Sequence, residues 1–536
     1  MATSYDAIVI GAGHNGLTTA AYLAKSGLRT LVVEQRDVVG GTCVTEEKVP
    51  GFKMSTTSYV NSLFQPRIIR DLELKKFGYK VYQRGGSHFV PLPDGGYFLG
   101  TGDEQGDIDE VRKFSRKDAD ILTEFNNLMD KMARFVEPLM METPPDPASK
   151  KLRDLLSLLK LGLRTRSQLG TRGIYDEVEL MTCSARDYLD KWFESDVVKA
   201  SYAINGIIGA YAGVMSPGTA YVLFHHMMGE VDGVKGAWGY QEGGMSGVTN
   251  SLARAAESHG AQIRVKSPVA RILERGGRAE GVVLKGGEEI GSKLVVSNAE
   301  PKRTFLGMLE ERALPSEFVR ALRNFRTEGV CLKVNLALAE LPDFKCLPGS
   351  KAGPQHMGSI MPVPGMEFLE KAWDDCKYGR PSERPFVEMV IPSTHDPTVA
   401  PPGKHVASCF VQYAPYTLRD GNWDQIKEKF ADRVIDELAQ YAPNLKGAIL
   451  GRHVYTPLDL EREFGMTGGH IFHGEMSPDQ LFFMRPVPGW SRYRTPIRSL
   501  YLCGAGTHPG GGVMGACGYN AAREILRDWR SGAAGR

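Results

Sequence analysis

The chain has 536 residues, of which 42% are hydrophobic and 24% are charged, and its formal net charge is +2. The length is too great for one compact core, so two or three domains are expected, and the small net charge argues against nucleic acid as a partner. No apolar run is long enough to cross a membrane, and the first strand is predicted to begin after four residues, which leaves no room for a targeting segment. We therefore expect a cytoplasmic protein.

The first predicted elements are a strand, a glycine-rich turn, a helix, a second strand and a terminal acid. They are an apolar strand at 7–10, the G-x-G-x-x-G spacing of Gly11, Gly13 and Gly16, a helix at 17–26, a strand at 30–33, and Glu34. The glycines allow a tight turn and a close approach to a pyrophosphate, and the acid can accept hydrogen bonds from a ribose 2′-OH. This order predicts dinucleotide binding but does not distinguish FAD from NAD. A plain strand–helix–strand unit is the alternative.

The next motif is the glycine pair Gly40-Gly41, which is followed by Thr42 and Cys43. Such a pair is typical of FAD-binding oxidoreductases and favours FAD. The letters GGTCV also resemble the C-x4-C stretch of flavin disulfide reductases, but position 48 is Lys48. Dithiol chemistry needs both sulfurs, so we expect Cys43 only to pack near the flavin. The eight cysteines have no repeating spacing, which indicates reduced thiols and predicts neither disulfides nor a metal site.

Residues 150–172 combine leucines on one predicted helical face with many basic residues. The leucines are Leu152, Leu155, Leu156, Leu159 and Leu163, and the charges are the single acid Asp154 against Lys150, Lys151, Arg153, Lys160, Arg164, Arg166 and Arg172. This pattern fits a helix that lies on an anionic membrane. A cap helix packed on its own domain or on a partner subunit is the alternative, and we favour it.

Farther along the chain, residues 242–301 predict a helix that ends at Gly260 and then a series of strands, the last of them parallel and buried near 294–296. Residues 330–338 alternate and predict a half-buried strand, with two later segments as antiparallel partners. Lys333, His470 and His473 either line a substrate cavity or form an ordinary polar strand face, which we favour.

The last predicted elements are a strand at 500–503, a glycine loop with a triple glycine at 510–512, and a helix at 515–529. The N terminus of this helix would stabilise negative charge at the N1/O2 edge of a reduced flavin. His508 lies in the loop and is the best single candidate for a catalytic side chain. Its alternative role is to brace the loop.

The stretches YDAIVIGAGHNGL, GGTCVTEEKVPGF, DLELKKFGYKVY, GGMSGVTNSLARAAESHGAQI and LYLCGAGTHPGGGVMGACGYNAA resemble the phytoene desaturase–like FAD-dependent oxidoreductases. The resemblance implies an α/β fold with a discontinuous Rossmann-like FAD-binding domain and an α+β substrate domain that contains an antiparallel sheet and a helical cap. It assigns residues 1–75, 236–305 and 495–536 to the FAD-binding domain, and residues 76–235 and 306–494 to the substrate and cap domain. It also implies that Val269 contacts the adenine. Thr42 stands where relatives often have Arg.

These inferences predict an FAD-dependent oxidoreductase that dehydrogenates or saturates C–C bonds of an apolar, lipid- or isoprenoid-like substrate by hydride transfer to the flavin. The electron acceptor is open between oxygen, a quinone and a protein. A redox-neutral flavin-dependent isomerase and a flavoprotein that mainly binds a regulatory partner are the alternatives. The expected cofactor-binding residues are Gly11, Gly13, His14, Asn15, Gly16, Glu34, Gln35, Gly40, Gly41, Thr42, Val269, Gly504, Val513, Met514 and Gly515.

The remaining expectations concern partners and location. We expect no metal and no nucleic acid; peripheral membrane contact through residues 150–172, a protein partner and a homo-oligomer are each left open. A mitochondrial matrix location replaces the cytoplasmic one if the chain has a eukaryotic homologue.

Overall fold

The computed structural model describes residues 5–534, without the side chain of Arg153. The predicted lack of a targeting segment at residues 1–4 lies outside this range. The strands are β1 (Tyr5–Ile10), β2 (Thr30–Val33), β3 (Thr45–Val49), β4 (Phe52–Ser55), β5 (Val81–Gln83), β6 (His88–Pro91), β7 (Tyr97–Gly100), β8 (Glu230–Val231), β9 (Val234–Lys235), β10 (Gly239–Gln241), β11 (Gln262–Arg264), β12 (Val269–Arg275), β13 (Arg278–Leu284), β14 (Glu289–Ser297), β15 (Leu332–Leu338), β16 (Ser359–Ile360), β17 (Phe386–Val390), β18 (His405–Gln412), β19 (Ile449–Tyr455) and β20 (Leu500–Leu502).

The helices separate and cover these strands. They are α1 (His14–Lys25), α2 (Pro66–Asp71), α3 (Glu104–Arg112), α4 (Arg116–Met140), α5 (Leu152–Thr182), α6 (Ala185–Asp190), α7 (Asp196–Ala203), α8 (Thr219–Met227), α9 (Ser246–Ser258), α10 (Pro301–Gly307), α11 (Ser316–Asn324), α12 (Pro354–Met357), α13 (Met366–Lys377), α14 (Trp423–Ala439), α15 (Leu445–Ala448), α16 (Pro457–Phe464) and α17 (Ala516–Ser531). Within residues 5–534, no helix has the length and apolar character needed to span a bilayer.

The first sheet joins distant parts of the chain in the order β11-β2-β1-β14-β13-β12, and β20 pairs in parallel with β14. β1 is parallel to both β2 and β14. Its residues alternate between two cores, with Ala7 and Val9 in one and Ile8 and Ile10 in the other. Burial on both faces explains its continuous apolar sequence. The strands predicted from the sequence in this sheet are confirmed.

The two distant ends of the chain meet beside this sheet, because α17 packs on α1. A Cβ atom on Gly518 of α17 would lie 2.2 Å from the carbonyl oxygen of Asn15, so only glycine allows this approach. The hydroxyl of Thr19 in α1 donates to the carbonyl of Gly518 at 3.0 Å. The glycine-rich turns that precede the two helices are thereby held next to each other.

The second sheet has the order β19-β15-β18-β17-β16-β6-β7. β15 is antiparallel to β18, which in turn is antiparallel to β17, so the predicted pairing is confirmed. The prediction that β15 is half-buried is wrong, because all seven of its residues are buried. One face packs with Trp423 and Val434 of α14. The other face is covered by the segment after β4, where Asn335 Nδ2 donates to the carbonyl of Thr56 at 3.1 Å.

A helical layer formed by α3 to α8 surrounds a third core, which includes Phe125, Tyr188 and Phe224. The architecture is the α/β fold predicted from the sequence, with an antiparallel second sheet and a helical cap. The proposed domain boundaries stay a prediction. One of these boundaries lies between residues 235 and 236, and β5 pairs with β10 across it.

Candidate functional site

A cleft opens where β1 and β2 end and α1 begins. Parallel strands that end at one edge, followed by a helix N terminus, are the usual position of a nucleotide site in such folds. Most of the predicted cofactor-binding residues line this cleft: Gly11, Gly13, His14, Asn15, Glu34, Gln35, Gly41, Thr42 and Val269.

The glycines make the turn possible. Gly11 has a φ of +95°, which favours glycine, and a Cβ atom on Gly16 would lie 2.1 Å from the carbonyl oxygen of Gly11. Gly40 donates its N–H to the carbonyl of Ala12 at 2.9 Å, which brings the second glycine pair against the first turn. Among the described residues, no side chain caps the N terminus of α1, so its amides are available to an anionic group.

Glu34 lies at the edge of the cleft with its carboxylate fixed by the backbone. One oxygen accepts from the N–H of Ala12 at 2.8 Å, and the other accepts from the N–H of Arg36 at 2.9 Å. The neighbouring Gln35 accepts from Arg303 at 3.0 Å. The carboxylate is therefore held in one orientation, with lone pairs left for the ribose hydroxyl that the sequence predicts.

Four buried polar atoms of residues in the wall of the cleft have no hydrogen-bond partner among the described residues: His14 Nε2, Arg36 Nη1, Glu300 Oε1 and His473 Nδ1. Burial lowers the pKa of His14 to about 4 and raises the pKa of Glu300. Buried polar groups are normally satisfied, so these atoms fit a polar ligand such as a dinucleotide. Sequence reasoning missed Asn298, which lies directly after β14, and also Glu300 and Arg303.

The glycine loop between β20 and α17 forms the other wall. Ala505 lines the cleft, and a Cβ atom on Gly504 would lie 2.7 Å from the carbonyl oxygen of Asn298. The N–H of Met514 donates to the carbonyl of Gly512 at 3.0 Å, so this amide is engaged within the loop. Val513 instead lines a second cavity, and Gly515, with a φ of +73°, directly precedes α17.

His508 lies in this loop but lines neither cavity. Its Nε2 is 3.1 Å from the carbonyl oxygen of Leu139 in α4, and its own carbonyl accepts from the hydroxyl of Tyr493 at 2.9 Å. Burial lowers the pKa of His508 to about 4, so the ring is neutral at pH 7. These contacts favour the bracing role over the catalytic one.

The same loop is held from behind by a fully buried arginine, Arg485. Its guanidinium donates to the carbonyls of Phe472 at 2.7 Å, Glu475 at 2.9 Å and Ala505 at 2.9 Å. It thereby joins the loop after β20 to the segment that contains His473. Sequence reasoning did not identify this residue.

The second cavity measures about 480 Å³ and lies between the helical layer, the second sheet and the loop that contains Val513. Its lining is mixed. The apolar residues include Leu63, Phe98, Val111, Met129, Ala133, Ile204, Ile208, Phe224, Met227, Trp238, Met361 and Phe472, and the polar ones include Arg84, Asp107, Asn126, Asp130, Asn205, His226, Lys235 and Glu388. The apolar part of the lining suits the apolar part of a ligand.

One hydrogen-bonded group in this cavity is built around the carboxylate of Glu388 in β17. Its two oxygens accept from the hydroxyls of Tyr59 and Ser359, each at 2.5 Å. The guanidinium of Arg84 donates to the same Ser359 hydroxyl at 2.7 Å. Sequence reasoning missed this chain of contacts, although a lone carboxylate within the apolar stretch FVEMV was a usable signal.

Lys333 lies beside this group, with its Nζ 3.5 Å from the centre of the Tyr59 ring. Among residues 5–534 its ammonium has no hydrogen-bond partner, and the residue is 3% exposed. Burial lowers the pKa of Lys333 to about 7, against the attraction of the carboxylate of Glu388. The preferred interpretation of Lys333 as an ordinary polar strand residue does not describe this unpaired, buried position.

The cysteines give no sign of redox pairing in the structure, because every cysteine is a free thiol. Cys43 is buried with its Sγ 3.5 Å from Nδ1 of His14, and burial raises the pKa of its thiol to about 12. In the part of the chain that the structure describes, no group of acidic, His or Cys side chains is arranged to hold a metal ion.

Comparison with known sequences agrees with this geometry, since the profile of the flavin containing amine oxidoreductases matches residues 16–526. The chain belongs to this family. The predicted FAD cofactor and the predicted oxidoreductase activity are thereby confirmed. The cleft fits FAD, because its glycine turns, its fixed Glu34 carboxylate and its unpartnered buried polar atoms suit a dinucleotide.

The relatives of this flavin containing amine oxidoreductase cover nearly the whole chain. Pyridine nucleotide-disulfide oxidoreductase domain-containing protein 2 of Rattus norvegicus is 44% identical over 98% of this chain and 94% of its own length. Phytoene desaturase (lycopene-forming) of a Paracoccus species is 25% identical, with 96% of this chain and 95% of its own length covered. An oxidoreductase structure from Methanosarcina mazei shares the fold with a TM-score of 0.60 at 17% identity, and 97% of this chain and 99% of that chain are covered. The predicted resemblance is confirmed.

Proposed function

We propose that the protein dehydrogenates or saturates C–C bonds of an apolar, lipid- or isoprenoid-like substrate. The observation that carries the proposal is the cavity of about 480 Å³ with many apolar lining residues, which meets the FAD cleft at the loop between β20 and α17: Val513 lines the cavity and Ala505 lines the cleft. FAD supplies the hydride acceptor or donor when it is bound. The name of the Paracoccus relative describes such a desaturation, of phytoene.

Tyr59 and Glu388 are the residues that we propose for proton transfer. Dehydrogenation of a C–C bond removes a hydride from one carbon and a proton from its neighbour. The hydroxyl of Tyr59 would take this proton while its own proton passes to Glu388, 2.5 Å away. In saturation the same two groups would deliver the proton in the opposite direction.

Ser359 and Arg84 position the carboxylate rather than react. The Ser359 hydroxyl donates to Glu388 and accepts from Arg84, which limits the rotation of the carboxylate. The apolar residues of the wall would hold the substrate hydrocarbon by shape and so place the reacting bond.

Anaerobic mixing of the FAD-loaded protein with a series of isoprenoid and lipid hydrocarbons tests the proposal. We expect the visible absorbance of oxidised flavin to fall as a product that lacks one pair of hydrogens appears in the mass spectrum. Conversion without net loss of hydrogen, and only after reduction of the flavin, would indicate the redox-neutral isomerase instead. A flavin that reacts with no member of the series in either redox state would favour a partner-binding role.

A matched pair of variants on α4 tests the assignment of the cavity. Ala133→Trp fills the cavity from its wall, so we expect kcat/KM to fall about tenfold or more, equivalent to ~1.4 kcal/mol, with FAD content unchanged. Glu124→Trp places the same ring at an exposed position of the same helix and should leave kcat/KM unchanged. Equal activity of Ala133→Trp and the unmodified protein would contradict the assignment.

A further inference from the structure

The first half of α5 presents a row of leucines to the solvent. The exposed fractions are 72% for Leu152, 48% for Leu155, 56% for Leu156, 59% for Leu159 and 62% for Leu163. At 3.6 residues per turn these positions fall within an arc of about 100°. Isolated exposed leucines are ordinary, but a continuous apolar stripe of this kind marks an interaction surface.

The opposite side of this half-helix is the side that packs on the protein. Asp154 is buried there and forms an ion pair with Arg492 at 2.8 Å, and Leu169, at the end of the segment, is also buried. Gly170, with a φ of +71°, then breaks the helix. The leucine stripe is therefore the outward face of an anchored helix.

Charge distinguishes between the possible occupants of this face. Lys150, Lys151, Lys160 and Arg166 are exposed on the same segment, whereas its acid, Asp154, is buried and paired. Two copies of the chain that met through this stripe would bring the same basic residues together, because a two-fold interface apposes identical patches. An anionic lipid surface would instead neutralise the basic residues and accept the leucines.

The helix that carries the stripe packs close to the second cavity. Lys131 of α4 donates to the carbonyl of Leu169 at 3.0 Å, so α5 packs along α4. The opposite face of α4 carries Met129 and Ala133, which line the second cavity. α4 therefore lies between α5 and the cavity, and a ligand that leaves a membrane beside α5 would reach the cavity past α4.

We propose that residues 150–169 dock the protein on an anionic lipid bilayer, with the leucine stripe inserted among the headgroups and the basic residues on phosphate or carboxylate groups. The docking does not depend on the proposed function. Its role in presenting an apolar substrate rests on that function.

Sedimentation of the full-length, FAD-loaded protein with vesicles tests the docking without any measurement of turnover. We expect it to sediment with vesicles of phosphatidylcholine and phosphatidylserine, and to remain in the supernatant with phosphatidylcholine alone or at high salt. Failure to sediment with the mixed vesicles at low salt would overturn the proposal, whatever the enzyme turns over.

Two sets of variants separate the apolar and the charged contributions. Leu156→Asn with Leu159→Asn, and separately Lys160→Glu with Arg166→Glu, should each weaken binding to the mixed vesicles by about tenfold or more. Arg164 is not changed, because its guanidinium lies 3.4 Å from the carbonyl oxygen of Phe135 and is part of the packing.

The matched control is Leu450→Asn, which alters a leucine that is 52% exposed on β19 of the second sheet. It should bind the vesicles as the unmodified protein does, and all variants should retain FAD and the thermal unfolding midpoint. If the Leu156 and Leu159 variant bound vesicles normally but converted a dimer into a monomer in light scattering, the stripe would be an interface between two copies and the proposal would fail.

Discussion

Replacement of Lys333 by methionine tests the unusual environment of this side chain. Methionine has a similar length and no charge, so the variant removes the ammonium that lies 3.5 Å from the Tyr59 ring and keeps most of the packing. The side chain has no hydrogen-bond partner in the described part of the structure, so the substitution breaks no bond there. The expected gain in stability is therefore electrostatic.

The size and the sign of the effect follow from the pKa. Burial lowers the pKa of Lys333 from 10.5 to about 7, so between these values the unfolded chain holds a proton that the folded chain does not. The free energy of unfolding of the unmodified protein therefore rises with pH across this window, while that of Lys333→Met does not share the rise. At about 1.36 kcal/mol for each pKa unit, the free energy of unfolding of Lys333→Met should exceed that of the unmodified protein by about 4 kcal/mol at pH 7. This difference should be about 3 kcal/mol smaller at pH 9.5.

The assay is denaturant unfolding of the FAD-free proteins at pH 7 and pH 9.5, followed by fluorescence. Lys285→Met is the control, because Lys285 is exposed and its replacement should give the same small difference at both pH values. An advantage of Lys333→Met that does not change between the two pH values would refute the reasoning. It would mean that the ammonium stays charged in the fold and finds a partner.

Two further predictions concern the walls of the cleft. Gly13→Val should purify without FAD, as judged by flavin absorbance per protein. A Cβ atom at this position would lie 2.9 Å from Asn298 Nδ2, and the added methyl groups would occupy the phosphate position. The control Gly286→Val should retain FAD, because a Cβ atom there has no other atom within 4 Å. A Gly13→Val protein with full flavin content would contradict the assignment of the turn. Arg485→Met should lower the free energy of unfolding by about 3 kcal/mol in a denaturant titration, because the buried carbonyls lose their hydrogen-bond donor. A decrease no larger than the one caused by replacing an exposed arginine with methionine would show that water replaces the guanidinium.

Much of the dinucleotide cleft could be predicted because its determinants are local. The turn at Gly11 requires a positive φ, and the packing of Gly16 requires the absence of a side chain, so glycine at these places carries the geometry in the sequence itself. The acid at the end of β2 follows at a fixed distance because a strand, a turn and a helix have fixed lengths.

The substrate cavity could not be predicted in the same way, because its polar group is assembled by the pairing of distant strands. Tyr59, Lys333 and Glu388 are brought together only when β15, β18 and β17 pair. The alternation of β15 indicated which residues share a face, but it gave no information on what covers that face. A charged residue within an apolar strand, as in CLKVNL and FVEMV, is the local sign of such a site.

The contact between α1 and α17 has a consequence for the order of events during synthesis. While the ribosome is still adding the last strand and helix, Asn15 and Thr19 have no Gly518 to contact and the loop that carries Val513 does not yet exist. The first strand–helix–strand unit is made early, and the helix that packs on it follows some 500 residues later in the chain. We therefore expect FAD to be retained only after β20, the following loop and α17 have been made and have packed against α1.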